Sequence, residues 1–288
     1  MELKRRNKIR IHIVVLSALF VVSGILLFSL IVILTASNII AAEAKRGKEN
    51  VECNFCAELV EQIRQEEEAA RAAERAKKLA EARGVIYLTF DDGPGDFTNT
   101  LLDILDKYEV KATFFVTGRG DDAVIRREDE EGHTVALHTW SHNYVYIYAN
   151  TNNYFADLSQ VAERVKNITG KDAKLVRFPG GSSNLVSRRY DGKTKIMTTL
   201  SRELEARGYQ YFDWHVDSDD AGRANSSDTV YTNVVTHLKD GPNVVLQHDI
   251  KPYSVEAVER IIQYGNENNF VFDKLEFNSP TVHHSLNN

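Results

Sequence analysis

From residue 85 onward, short apolar runs alternate with longer amphipathic ones. The runs at 85–90, 112–117, 134–137, 174–177, 210–216 and 243–247 are rich in β-branched and aromatic residues and predict strands. Between and after them, 98–107, 123–131, 153–169, 195–207, 229–239 and 255–268 space their apolar residues at helical intervals and predict helices. Such βα alternation over about 200 residues predicts a parallel sheet or barrel. No Gly-x-Gly-x-x-Gly follows the first strand, which favours a (β/α) barrel over a doubly wound sheet.

Upstream the pattern is different. Residues 13–36 carry no charge and are dominated by Val, Leu, Ile and Phe. As a helix these 24 residues would span about 36 Å, enough to cross a bilayer with some tilt. A cleaved signal peptide is the rival reading, since small residues (Ala41, Ala42, Ala44) follow, but its apolar region would be only about 7–15 residues. An uncleaved transmembrane anchor over 11–36 is therefore expected, with 1–10 as a basic segment. Lys4, Arg5, Arg6, Lys8 and Arg10 would hold that segment in the cytoplasm and place everything after residue 40 outside a bacterial cell. The stretch 37–84 then forms a linker and stalk. Within it, 57–83 is rich in Ala, Glu, Arg and Lys and reads as a solvated helix stopped by Gly84, spacing the next domain about 40 Å from the anchor. Its apolar positions (Leu59, Val60, Ile63, Leu79) are too sparse for a coiled-coil seam. Cys53 and Cys56 form a lone C-x-x-C, read as a local or intermolecular disulfide rather than a zinc or catalytic pair.

Charge narrows the partners. The net charge is −6, and removing the ten N-terminal residues leaves 30 basic against 40 acidic side chains. An acidic body argues against a nucleic-acid binder and suits a neutral or cationic partner. Two cysteines cannot build a disulfide framework, so the domain at 85–288 must rest on its own core.

The chemistry lies at the strand ends. VIYLTFDDGP (85–94) is an apolar strand that stops at two adjacent carboxylates, Asp91 and Asp92. These repel each other, so a cation or an arginine is expected beside them. His138 and His142, in HTWSH, follow the third strand. Arg177 ends the fourth, in RFPGG; Asp217, with Asp219 and Asp220 behind it, ends the fifth; His248 ends the sixth. Parallel barrels place the active site at the carboxyl ends of their strands, so these groups should share one cleft. His-x-x-x-His is expected to put both imidazoles on one face of a helical turn. With Asp92 they make a two-histidine, one-aspartate set, the pattern of a catalytic metal site with open positions. Zinc is the first expectation, while cobalt, nickel or iron suit similar sites. Acidifying a water and polarising a carbonyl there is hydrolytic chemistry.

The motifs TFDDGP (89–94), HTWSH (138–142), RFPGG (177–181), DSDDA (217–221) and LQH (246–248) resemble, in order, the five signatures of the NodB-homology polysaccharide deacetylases, carbohydrate esterase family 4. The resemblance covers about residues 85–275 and implies a distorted, incomplete (β/α) barrel of about seven strands. It implies that Asp92, His138 and His142 bind the metal and that Asp91 takes a proton from the water attacking an acetamide. The oxyanion would be stabilised by the metal and a backbone N–H, that of Gly180, and His248 would protonate the leaving amine. Arg177 would pair with Asp91, and Asp217 with His248. Pro179, Gly180 and Leu246 would line the substrate site.

Two departures stand out. Gly180 occupies a position where members often carry an aromatic residue. Ala221 stands where many place a tryptophan that walls the acetyl pocket beside Leu246, leaving Trp140 or Trp214 to supply that wall. On an extracellular tether, the expected substrate is N-acetylglucosamine of peptidoglycan. Chitooligosaccharide, exopolysaccharide, N-acetylmuramic acid and O-acetylated polymers are alternatives, as is a wall-binding module without activity. His283 and His284 are read as part of an ordered tail rather than a second metal site.

Overall fold

A computed structural model describes residues 54–192 and 194–288. The chain divides into two compact units, residues 1–75 and 76–288. The predicted membrane anchor and Cys53 lie outside the described residues. Among these, no helix is long and apolar enough to cross a membrane. Helix α1 (Asn54–Glu81) covers most of the helix expected over 57–83. From Val60 onward it is exposed along nearly its whole length, and Arg64 pairs with Glu61 and Glu68 on its surface. Such exposed pairs contribute about 0.3–0.5 kcal/mol each, so the helix rests on propensity rather than on packing.

Gly84 does not cap that helix, which stops at Glu81. It opens β1 (Gly84–Asp91), where its pairing partner is Gly241. A Cβ at 84 would sit 2.2 Å from the Gly241 carbonyl oxygen, so the glycine serves a close approach of two backbones.

The second unit continues with α2 (Thr98–Lys107), β2 (Thr113–Val116), α3 (Asp122–Glu130), β3 (Thr134–Leu137), the one-turn α4 (Tyr144–Ile147), α5 (Thr151–Thr169) and β4 (Leu175–Val176). Then follow α6 (Ile196–Ala206), β5 (Gln210–Tyr211), β6 (Val216–Asp217), α7 (Ser227–His237), β7 (Gly241–His248), α8 (Pro252–Glu267) and β8 (Phe270–Phe272). Every recorded strand pairing is parallel, in the order β5-β4-β3-β2-β1-β7-β6, with β8 beside the first half of β1 and β2 beside its second half. This is the expected incomplete barrel: no ladder joins β5 to β6.

Alternation along the strands sorts the core into two layers. Ile86, Leu88 and Phe90 of β1 face the helices with Phe114, Leu137, Val176 and Val245. Tyr87 faces the lumen with Phe115, Ala136, Leu175, Phe212 and Val244. Thr89 and Asp91 share the phase of Tyr87, and Arg177 that of Leu175.

The expected single strand over 210–216 is broken, and the reason is Arg177. Residues 212–215 cross the gap between the sheet edges: Phe212 N–H donates to Val176 O at 2.9 Å and His215 N–H to Val244 O at 2.9 Å. The carbonyls of Phe212 and Asp213 accept from Arg177 Nε and Nη2, each at 3.1 Å. A fully buried guanidinium thus takes the carbonyls a ladder would have used.

Beyond β8, residues 273–288 run back over the lumen. Leu275 and Val282 join the inner layer, and Asp213 N–H donates to Val282 O. The His283 ring stacks on Tyr211 at 3.7 Å, and His284 Nε2 lies 2.7 Å from Trp214 O. Both histidines serve the tail, as expected.

Candidate active site

Asp91 and Asp92 stand at the top of β1, where φ of Asp92 is 74°. That left-handed value costs about 1–2 kcal/mol in a residue with a side chain, and it turns Asp92 to a different set of partners from Asp91. The loop is held from below. Asp249 is fully buried; its Oδ2 accepts from Thr98 Oγ1 at 2.5 Å, which in turn accepts from Gly95 N–H at 2.8 Å. Burial raises the Asp249 carboxyl to about 7 against the Thr98 hydrogen bond.

His138 and His142 sit in a loop, not on a helical turn. Residues 138–143 carry no helix, and Thr139 and His142 take φ of 66° and 50°. The loop is pinned by buried Asp157, whose Oδ1 accepts from Trp140 N–H (2.6 Å) and Ser141 N–H (3.0 Å). Asp157 went unread in the sequence, although it shares the buried face of α5 with Tyr154, Leu158 and Val161.

Asp92, His138 and His142 converge. Each offers one ligand atom, and these lie within 4.8 Å of one another. Asp92 Oδ1 is 3.6 Å from His138 Nε2 and 3.4 Å from His142 Nε2. It is buried and has no hydrogen-bond partner, a cost that a cation between the three would remove. Nδ1 of His138 is 2.9 Å from Arg177 O. A carbonyl only accepts, so Nδ1 carries the proton and Nε2 offers its lone pair to the site. Burial pushes the Asp92 carboxyl up, but His138, His142, His248 and Arg119 outweigh it and hold the group below its ordinary range. Burial, helped by His138, lowers the His142 imidazole against Asp92 and Asp91 and favours the neutral ligand form. The set fits a divalent cation with open positions.

On one side lies Asp91, 3.7 Å from His138 Nε2 through its Oδ2. Its Oδ1 accepts from Arg177 Nη1 at 2.7 Å, the expected pair. Nη1 also reaches Thr89 Oγ1 at 2.7 Å, and the guanidinium lies 4.2 Å over the Phe115 ring.

On the other side lies His248, with Nε2 4.0 Å from Asp92 Oδ2. Its partner is Asp220, not Asp217. Asp220 Oδ1 is 2.7 Å from Nδ1, and Oδ2 accepts the His248 backbone N–H at 2.7 Å. Burial lowers the His248 pKa, but the Asp220 carboxylate overrides this, and with Asp91 and Asp92 it raises the imidazole to about 9. Asp217 is exposed; its Oδ1 accepts from Asp219 N–H at 2.8 Å and makes a turn. That turn, with Asp219 at φ 57°, carries the chain three residues on, so it is the third aspartate of DSDDA, Asp220, that turns inward. Its place directly before Ala221 was the available signal.

Pro179 is buried and its carbonyl accepts from Tyr148 Oη at 2.7 Å; Gly180 is exposed with φ 77°. Leu246 is buried in the same layer phase as His248. Of the two tryptophans, Trp214 packs against Gly181, while Trp140, 36% exposed, lies against Gly118. Tyr144, not singled out in the sequence, stands edge-on to His142 with ring centroids 5.1 Å apart. Burial first, then Asp92 and Asp91, pushes its phenol up to about 12.

The profile of the polysaccharide deacetylase family matches residues 78–198. A peptidoglycan-N-acetylglucosamine deacetylase of Bacillus cereus is 34% identical over 200 residues, 66% of this chain and 69% of that protein. The chain belongs to the polysaccharide deacetylase family. Two crystal structures extend the likeness to the fold. The catalytic domain of the peptidoglycan N-acetylglucosamine deacetylase of Eubacterium rectale is 49% identical, with a TM-score of 0.68 over 71% of this chain and 94% of that one. A polysaccharide deacetylase of Bacillus cereus is 32% identical, with a TM-score of 0.62 over 69% of this chain and 96% of that one. This polysaccharide deacetylase brings Asp91, Asp92, His138, His142, Arg177 and His248 together, with Asp220 rather than Asp217 beside His248.

Proposed function

We propose that the protein is a metal-dependent N-deacetylase that removes acetyl groups from N-acetylglucosamine of peptidoglycan. The observation that carries this reading is the division of labour around Asp92. Its orphaned oxygen faces two imidazoles, while a carboxylate paired with an arginine and an imidazole paired with a carboxylate flank it.

A divalent cation held by Asp92, His138 and His142, zinc before cobalt or nickel, would polarise the acetyl carbonyl and acidify the attacking water. Asp91, held in place by Arg177 at 2.7 Å, accepts the proton of that water as its oxygen attacks the acetyl carbon. The backbone N–H of Gly180 donates to the oxygen that gains charge. His248, protonated through Asp220, delivers a proton to the sugar nitrogen as the C–N bond breaks, releasing acetate and a free amine. The relatives in Bacillus cereus and Eubacterium rectale, both named for peptidoglycan N-acetylglucosamine, support that substrate. The uncharged stretch at 13–36 and the charged stalk support tethering to the outer face of the cell membrane, within reach of the wall.

The test is acetate release by the zinc-loaded protein from peptidoglycan, chitooligosaccharide and O-acetylated glycan. Release from peptidoglycan that stops on chelation and returns with zinc is expected. Retention on the wall without acetate would make the protein a binding module instead.

A further inference from the structure

The Tyr144 hydroxyl has no part in the chemistry above. Tyr144 opens α4, two residues beyond His142, and its ring meets that imidazole at 89°. It also packs on the Tyr148 ring at 5.8 Å. Its hydroxyl lies against Gly180, where a Cβ would be 3.1 Å from the Tyr144 oxygen and 3.3 Å from Cε1.

Two other tyrosines, Tyr148 and Tyr253, differ. Tyr148 donates to Pro179 O at 2.7 Å and Tyr253 to Asp220 O at 2.9 Å, so each hydroxyl there ties two segments together. No hydrogen bond ties the Tyr144 hydroxyl to another described residue, and it is not one of the buried atoms left without a partner, so it is open to solvent and to a ligand. A phenylalanine would pack on His142 and Tyr148 equally well, so packing does not account for the oxygen. A donor open to solvent beside a reaction centre is available to a ligand.

We propose that Tyr144 donates a hydrogen bond to the acyl oxygen of the substrate as that oxygen gains charge, beside the backbone N–H of Gly180. The inference rests on the deacetylase reading. It also gives Gly180 a reason: a side chain there would crowd the hydroxyl. Two donors would then share the developing charge, one from the RFPGG loop and one from α4.

The experiment uses the full chain and an N-acetylglucosamine oligosaccharide, with acetate release and zinc calorimetry as readouts. Tyr144→Phe keeps the ring, so folding and zinc affinity should be unchanged. Loss of an oxyanion donor costs up to about 10²–10³ in kcat, and a donor shared with a backbone N–H should cost about 10- to 100-fold with KM within about threefold. An unchanged kcat, a rise in KM alone, or a parallel loss of zinc affinity would overturn the inference. Asp91→Asn is assayed beside it. An inactive Asp91→Asn next to a fully active Tyr144→Phe overturns this inference alone, and a wild-type protein that releases no acetate overturns both.

Discussion

The two sides of the cleft solve one problem with opposite materials. At the end of β1, Asp91 meets Arg177, whose guanidinium is held by four acceptors on β1 and the 212–213 crossing. At the β7 end, His248 meets Asp220, and here the cation is the group that titrates. A fixed guanidinium positions the carboxylate that accepts a proton, while a fixed carboxylate keeps an imidazole charged for donating one. The Asp91 pair also carries structure, because Arg177 ties the 212–213 crossing to β1. At the β7 pair, Asp220 also accepts the His248 backbone N–H, and its carbonyl accepts from Tyr253.

The comparison can be broken hardest at Arg177. Arg177→Met leaves Asp91 buried without a partner and the crossing carbonyls unpaired. Denaturant unfolding should show a loss of about 3–5 kcal/mol, with acetate release falling at least about 10³-fold. Asp220→Asn acts on the other pair and should spare most of the fold. The wild-type rate is expected to fall as pH rises through about 9, where His248 loses its proton; in Asp220→Asn that limb moves to lower pH and kcat drops about 10- to 100-fold. Stability should follow the same pair. A histidine raised to about 9 contributes fully below the ordinary value of 6.5 and loses that contribution as pH climbs through 9, which thermal melts across that window would record. Asp217→Asn is the smallest change. It alters an exposed turn and should leave kcat within about twofold and stability within about 0.5 kcal/mol.

Where a residue's role was set by local pattern, the sequence sufficed. Helix α2 falls on the expected residues 98–107 and β3 on 134–137, because each carries a strong period and clear ends. The metal set was legible because its spacing is a motif. What the sequence concealed depends on long-range placement. The strand over 210–216 reads as continuous, since nothing local reveals that Arg177, more than 30 residues earlier, takes its carbonyls. Asp217 looks like the strand-end group, but a turn with Asp219 at positive φ delivers Asp220 to His248 instead. The loop geometry of HTWSH likewise needs Asp157 from α5, a contact 16–17 residues away.

The central claim is that Asp92, His138 and His142 close on one cation between the two pairs. Zinc titration of the metal-free protein by calorimetry tests it most directly. The account predicts one tight site per chain in the wild type, weakened at least about 100-fold in His138→Ala and unchanged in Asp217→Asn. Equal zinc affinity in wild type and His138→Ala would contradict it.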